Sequence, residues 1–251
     1  MLKKKKQQRY LDKKNKEWER ELRGFDASRE EESLHRLRLA VKKIKAFARL
    51  LAACSNDHAA KDIHLLKKMF RQAGTIRDAG NHLQLLGHFQ GAPESYKREQ
   101  DQLKATASAQ FVHDIGEYRR LGKTARRRLS ADIRSIRTSC IKDWYAAQLV
   151  KTGVLLTASG DRLHKARKLI KELLYVEKLL PSGLADELSL DREYLDKLQD
   201  AIGKWHDAAL VAGAWAGKDR IGSQAMVEEC GEKLAEVRAL AGDFYMCAHR
   251  V

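Results

Sequence analysis

Residues 34–51 read LHRLRLAVKKIKAFARLL, and residues 163–180, LHKARKLIKELLYVEKLL, restate that frame 129 positions later. Apolar side chains recur every three or four residues, the period of a helix with one buried face. The register persists beyond the two stretches. At the same offset Lys42 falls on Lys171, Arg49 on Lys178, Gly74 on Gly203 and Asp78 on Asp207. Two separated motifs holding one register without a gap mark an internal duplication, each half a four-helix unit.

At about 100° per residue, His35, Arg38, Lys42, Lys45 and Arg49 fall in a strip about 80° wide. Leu34, Leu37, Val41, Ile44, Ala48 and Leu51 form the adjoining strip and are expected to face the core. The basic row therefore runs beside the core seam, while Arg36 and Lys43 point away. In the second copy His164, Arg167, Lys171 and Lys178 trace the same strip, interrupted by Leu174. The preceding helices carry the rhythm too. Lys6, Arg9, Lys13, Lys16, Arg20 and Arg23 alternate steps of three and four. Arg120, Lys123, Arg127, Arg134 and Arg137 do the same, with Ser130 at the missing step.

The formal net charge is +15, with a pI near 9.7, which selects an anionic partner. Residues 1–54 and 117–183 carry +9 and +10, whereas 55–116 and 184–251 carry +1 and −5. Positive charge is thus concentrated on the first helical hairpin of each repeat. Rows of like charge repel one another unless a counter-anion relieves them, so the rows predict a polyanion site.

Only Pro93 and Pro181 interrupt the chain, and nothing alternates as a strand does. Breakers predict about eight helices, with repeats at about 1–116 and 117–251. The second helix starts after Ser28, which with Glu31 resembles a capping box. The third follows residues 55–57, and the fourth opens at Pro93. The fifth runs over 117–151, the sixth starts near Asp161 and stops at Pro181, and the last two cover 184–216 and 218–249. No stretch approaches the roughly 18 apolar residues of a membrane span. Cys54, Cys140, Cys230 and Cys247 form no CxxC pair. With no secretory signal ahead of them, they read as reduced packing residues of a cytoplasmic protein.

No metal, cofactor or catalytic cluster is indicated. Neither His35 nor His164 has a ligand-type residue at i+4, and their place at the head of each row suggests anion hydrogen bonding as readily as a structural role. The remaining histidines, His206 among them, have no histidine at the equivalent position and read as incidental. Asp78 and Asp207 are expected to fix helix packing by pairing with arginine, and the four tryptophans to pack in the core. There is no GxxxxGK phosphate loop and no Glu-x-Glu-x-Lys strand.

The two quoted stretches, with GTIRDAGNHLQLL at 74–86 and LQDAIGKWHDAALVAGAW at 198–215, resemble the CHAD family, the conserved histidine α-helical domain. The likeness spans nearly the whole chain. It implies an all-α protein of two four-helix bundles related by pseudo-twofold symmetry, with a basic channel between them and inorganic polyphosphate as ligand. His35, Arg38, Lys42 and Lys45 match the first basic motif. His164, Arg167 and Lys171 match the second, and Tyr175 fits its aromatic position. Arg77-Asp78 fits the family's Arg-Asp pair, where the second repeat has His206-Asp207. The expectation is a non-enzymatic polyphosphate-binding protein, associated with polyphosphate granules. A nonspecific nucleic-acid binder and a metal-dependent hydrolase of polyphosphate or triphosphate are the alternatives.

Overall fold

The computed structural model describes residues 1–55, 58–87, 94–158, 160–215 and 220–249, and apart from two isolated bridges it contains no strand among them. The chain forms two compact units, Met1–Ile136 and Arg137–Val251. The first holds α1 (Lys4–Ser28), α2 (Glu31–Cys54), α3 (His58–Asp62), a 3-10 turn (Ile63–Leu66), α4 (Lys67–Gly87), α5 (Glu94–His113) and α6 (Ile115–Asp132). The second holds α7 (Thr138–Leu156), α8 (Asp161–Glu177), α9 (Ser182–Leu188), α10 (Arg192–Trp215), α11 (Arg220–Ala241) and α12 (Phe244–Cys247).

In the first unit the expected α2 seam is the core. Leu34, Leu37, Ala48 and Leu51 are fully buried, and Val41 and Ile44 nearly so. Leu34, Leu37 and Val41 pack with Trp18, Leu22 and Phe25 of α1, Met69 and Ile76 of α4, and Phe111. Phe25 and Phe111 meet edge to face with centroids 5.2 Å apart, the geometry their ring quadrupoles favour. In the second unit Leu163, Ala166, Ile170 and Leu173 line α8, and the Tyr145 hydroxyl donates to the Leu173 carbonyl at 3.0 Å. Trp18, Trp144 and Trp205 are buried, as expected.

Several boundaries differ from the sequence reading. Ser28 caps nothing ahead of it: it is the last residue of α1, and its hydroxyl donates to the Gly24 carbonyl and accepts from Glu30 N–H. Arg29, left-handed at φ 61°, ends the helix with its N–H on Phe25 O, and α2 starts without a side-chain cap. The long helix expected over 117–151 is two helices. Ile136 leaves the helical path to form a bridge with Leu2, exchanging backbone bonds of 2.9 and 3.1 Å. Ile133 and Ile136 are both buried there, and the Gln7 amide donates to the Arg134 carbonyl. Burial of two β-branched side chains in an extended segment outweighs continued helix. The break places α6 in the first unit, so the compact units divide later than the sequence repeats do. The helix expected over 184–216 also splits, at Ser189 (φ 48°), where Leu190 bridges to His249. The sixth expected helix starts where the sequence places it, with Asp161 as the first residue of α8. The expected start at Pro93, and the boundaries at Asn56, Asp57, Ser159, Ala216 and Lys218, lie outside the described residues.

Cys230 and Cys247 are free thiols, but Cys54 and Cys140 are disulfide-bonded, contrary to the reading of all four as reduced. Disulfides persist in oxidising settings, so cysteine usage no longer argues for a cytoplasmic location. No helix among the described residues is long and apolar enough to cross a membrane.

Candidate anion-binding site

The duplication in sequence is a duplicated contact in space. Arg38 of α2 donates from Nη1 to the Phe70 carbonyl of α4 at 2.6 Å. Arg167 of α8 donates from Nε to the Gln199 carbonyl of α10 at 3.0 Å. Donor and acceptor are both shifted by the repeat offset. Each guanidinium lies on a glycine one turn beyond its acceptor. A Cβ on Gly74 would fall 2.3 Å from Arg38 Nη1, and one on Gly203 would fall 2.6 Å from Arg167 Nη2. Glycine is required here for close approach, not for backbone freedom. Arg38 also stacks on the Phe70 ring, 4.3 Å from its centroid. Burial lowers the Arg38 pKa, Asp78 opposes that shift and Arg77 adds to it. Both arginines are thus positioned by main chain, which fixes the line along which the rest of each row runs.

The rows then diverge. In the first unit Lys42 is half-buried and His35, Lys45 and Arg49 are exposed. In the second, Leu174, at the position of Lys45, is buried in the core, and Lys178 lies just past the end of α8. Lys171 is half-buried, and burial lowers its pKa, with Arg167 adding to the effect. Asp200, Asp196 and Asp207 of α10 act the other way. The equivalent positions of α4 are Lys67, Arg71 and Asp78. The second row therefore faces carboxylates where the first has two further cations. Tyr175 lies on this same α8–α10 side: burial raises its pKa, Arg167 lowers it and Asp196 raises it.

His206, read from sequence as incidental, is part of the site. Its ring stacks on His164 with centroids 4.1 Å apart and planes 27° apart. His164 Nδ1 is buried without a hydrogen-bond partner among the described residues. Burial, then Lys168, His206 and Arg167, push the His164 pKa down to about 4. Burial also lowers that of His206, against Asp207. The signal was present in the register, since His206 stands where the first repeat has Arg77.

The rows of α1 and α6 form a separate basic face. The two helices pack antiparallel through Arg126–Asp12 (2.8 Å), Arg119–Asp26 (2.9 Å) and the Gln8–Ser130 hydrogen bond (3.1 Å). At about 100° per residue, the α1 row lies about 70° round from Asp12 and the α6 row about 90° round from Arg126. In an antiparallel pair those rotations turn both rows to one side. Arg9, Lys13, Lys16 and Arg20 of α1 and Arg120, Lys123 and Arg127 of α6 are all exposed there. The α2 row lies about 180° round the helix from Phe47 and Ser33, which meet Tyr10 and Gly24 of α1. It belongs instead to the α2–α4 seam. Arg134 and Arg137 leave the α6 row. Arg134 caps α6 by donating to the Ala131 and Ile133 carbonyls, and Arg137 is the residue before α7.

Pairing on α6 follows position. Off the row, Arg119, Arg126 and Arg128 reach Asp26, Asp12 and Asp62. On the row, Arg120, Lys123 and Arg127 have no carboxylate partner among the described residues. Nor do the described residues contain a group of three or more side chains able to hold a metal ion.

Residues 9–216 match the family model of the CHAD domain. The chain belongs to the CHAD domain family. Among solved structures it is similar to PptA from Streptomyces chartreusis, with a TM-score of 0.58, 14% sequence identity, and coverage of 98% of this chain and 99% of that one. At that identity the likeness concerns the fold. No curated protein matches the chain.

Proposed function

We propose that the chain binds inorganic polyphosphate without hydrolysing it, using the row of α2 with its counterpart on α8 and the face shared by α1 and α6. The observation that carries this reading is the division of charge on α6. Arginines that serve packing meet carboxylates, while those on the row are left for an external anion. Membership of the CHAD family supports the same ligand. Polyphosphate is a flexible chain with a single negative charge on each unit, so it follows a row of cations without needing bases to be read. Binding releases counterions and weakens steeply with salt. Arginine grips phosphate oxygens in a bidentate fork, whereas lysine acts as a point charge.

One polyphosphate chain engaging the rows of both repeats, as the channel implied by the family resemblance requires, is part of the proposal. So is association with polyphosphate granules in the cytoplasm, which rests on the ligand and not on the cysteines. The decisive experiment is competition: labelled long-chain polyphosphate is bound across a salt series and challenged with excess duplex DNA or RNA. Retention of polyphosphate at moderate salt is expected, and efficient displacement would instead make the chain a general nucleic-acid binder. Phosphate release with Mg²⁺ or Mn²⁺ that tracks the pure protein would overturn the non-enzymatic reading. Reversing charge at Lys42 and Lys171 together should weaken binding far more than the same change at Arg36 and Lys43.

A further inference from the structure

We propose that His164 and His206 form a proton-coupled phosphate subsite in the second unit, so that this repeat takes up protons as it binds anion while the first, with Arg77 at the equivalent position, does not draw on a second histidine. The inference rests on the polyphosphate reading and adds its regulation.

The geometry comes first. Two imidazoles lie face to face at 4.1 Å, half-buried, at the head of a row anchored by Arg167. Rings in this arrangement point their nitrogens outward in near-parallel planes, so they do not converge on a metal ion as chelating histidines must. Those nitrogens are suited to donate to separate oxygens of one phosphate, provided each carries a proton. His164 Nδ1 is buried without a partner among the described residues, which leaves Nε2 as the nitrogen of that ring to meet a phosphate oxygen. Arg167 uses Nε for the Gln199 carbonyl, so the terminal nitrogens of its fork are not spent on that bond.

Burial disfavours the charged form of both rings, Lys168 and Arg167 add to that effect, and Asp207 opposes it at His206. The leading charge effects on the two rings come from Lys168, Arg167 and Asp161 of α8 and from His206 and Asp207 of α10. Among the described residues none of these comes from α7, which packs against α8, or from α11, which packs against α10. Two imidazolium ions stacked beside Lys168 and Arg167 would repel, and burial opposes each charge further. A phosphate brought against the stack supplies the missing negative charge, raises both affinities for protons and must therefore bind more tightly as pH falls. In the first unit position 77 carries a guanidinium in place of the second imidazole.

Calorimetry on the full chain with tripolyphosphate as probe, in buffers of different ionisation enthalpy, counts the protons taken up between pH 7.5 and 5.5. The wild-type chain should bind with net uptake near pH 6, and its affinity should rise about fivefold over that range. His206→Arg, which installs the first repeat's residue, should lower the uptake and flatten the pH profile. Arg77→His should increase the uptake, a reciprocal check that does not depend on His206→Arg folding normally. Ring resonances of His164 followed by NMR should shift to the protonated position on adding probe at pH 6. Binding with uptake unchanged in both variants overturns this inference and leaves the polyphosphate reading standing. No binding of probe or long-chain polyphosphate at any pH overturns both.

Discussion

The two repeats share a mechanical contact and differ in the charge around it. Arg38 over Gly74 and Arg167 over Gly203 are the same device, built on backbone carbonyls that tolerate Phe70 in one copy and Gln199 in the other. What changes is the helix opposite. Lys67 becomes Asp196, Arg71 becomes Asp200 and Arg77 becomes His206, while Lys45 on the row itself becomes the buried Leu174. Packing contacts tolerate little change, because a displaced guanidinium leaves a buried donor unsatisfied. Surface charge at the rim of the same contact is free to drift. The duplication therefore preserved the scaffold of an anion site twice, but the cations around it only once.

The comparison breaks most readily on affinity. Lys42→Glu with Lys45→Glu should weaken polyphosphate binding by about tenfold or more at moderate salt, since each lost phosphate contact also reduces counterion release. Lys171→Glu should cost about threefold, because Asp196 and Asp200 already offset that charge. Equal losses, read by a fluorescence titration at fixed salt, would mean that the carboxylates of α10 do not compensate the second row. The shared device gives the next effect. Ala in place of Gly inside a helix ordinarily stabilises by about 1 kcal/mol. At Gly74 or Gly203 the added methyl displaces a guanidinium whose charged hydrogen bond is worth about 1.5–3 kcal/mol. Gly74→Ala and Gly203→Ala should each therefore be net destabilising by about 1 kcal/mol, as measured by urea unfolding of each variant. Stabilisation of either would show that its arginine moves aside without loss.

Much of this was legible before any coordinates. The helical period over 34–51 marked the α2 seam, and the fixed offset paired the arginines with each other and the glycines with each other. The contact joining arginine to glycine was not legible, because its acceptor is a main-chain carbonyl that leaves no side-chain signature at positions 70 and 199. The break at 133–137 was hidden for a similar reason. Nothing in Ile133 or Ile136 announces a bridge partner as remote as Leu2, and only tertiary burial makes the extended path favourable. Arg134 and Arg137 kept the rhythm of a row that the helix beneath them does not continue. A gain-of-function exchange sharpens the comparison further. Asp196→Lys with Asp200→Arg should raise affinity about threefold and steepen the salt dependence. An unchanged salt slope would place those residues away from the bound anion.

The smallest difference is one of acid stability. The folded-state pKa of His164 is near 4, against an ordinary value of 6.5, with burial as the leading cause. A depressed histidine is stabilising in its neutral form, so the native state binds fewer protons than the unfolded chain between those two values. Stability must then be fully present above about pH 6.5 and decline as the pH falls toward 4. Because the ring is only half-buried, solvent screening keeps the effect to well under the full shift, roughly 1 kcal/mol. Urea unfolding at pH 7.5 and pH 5 should therefore give a smaller interval for His164→Gln than for the wild-type chain. Polyphosphate at saturating concentration should narrow the wild-type interval as well, because a proton that the empty stack rejects is one that the occupied stack retains. If His164→Gln leaves the interval unchanged, the acid sensitivity belongs to other groups and the stacked pair is neutral for reasons unrelated to folding.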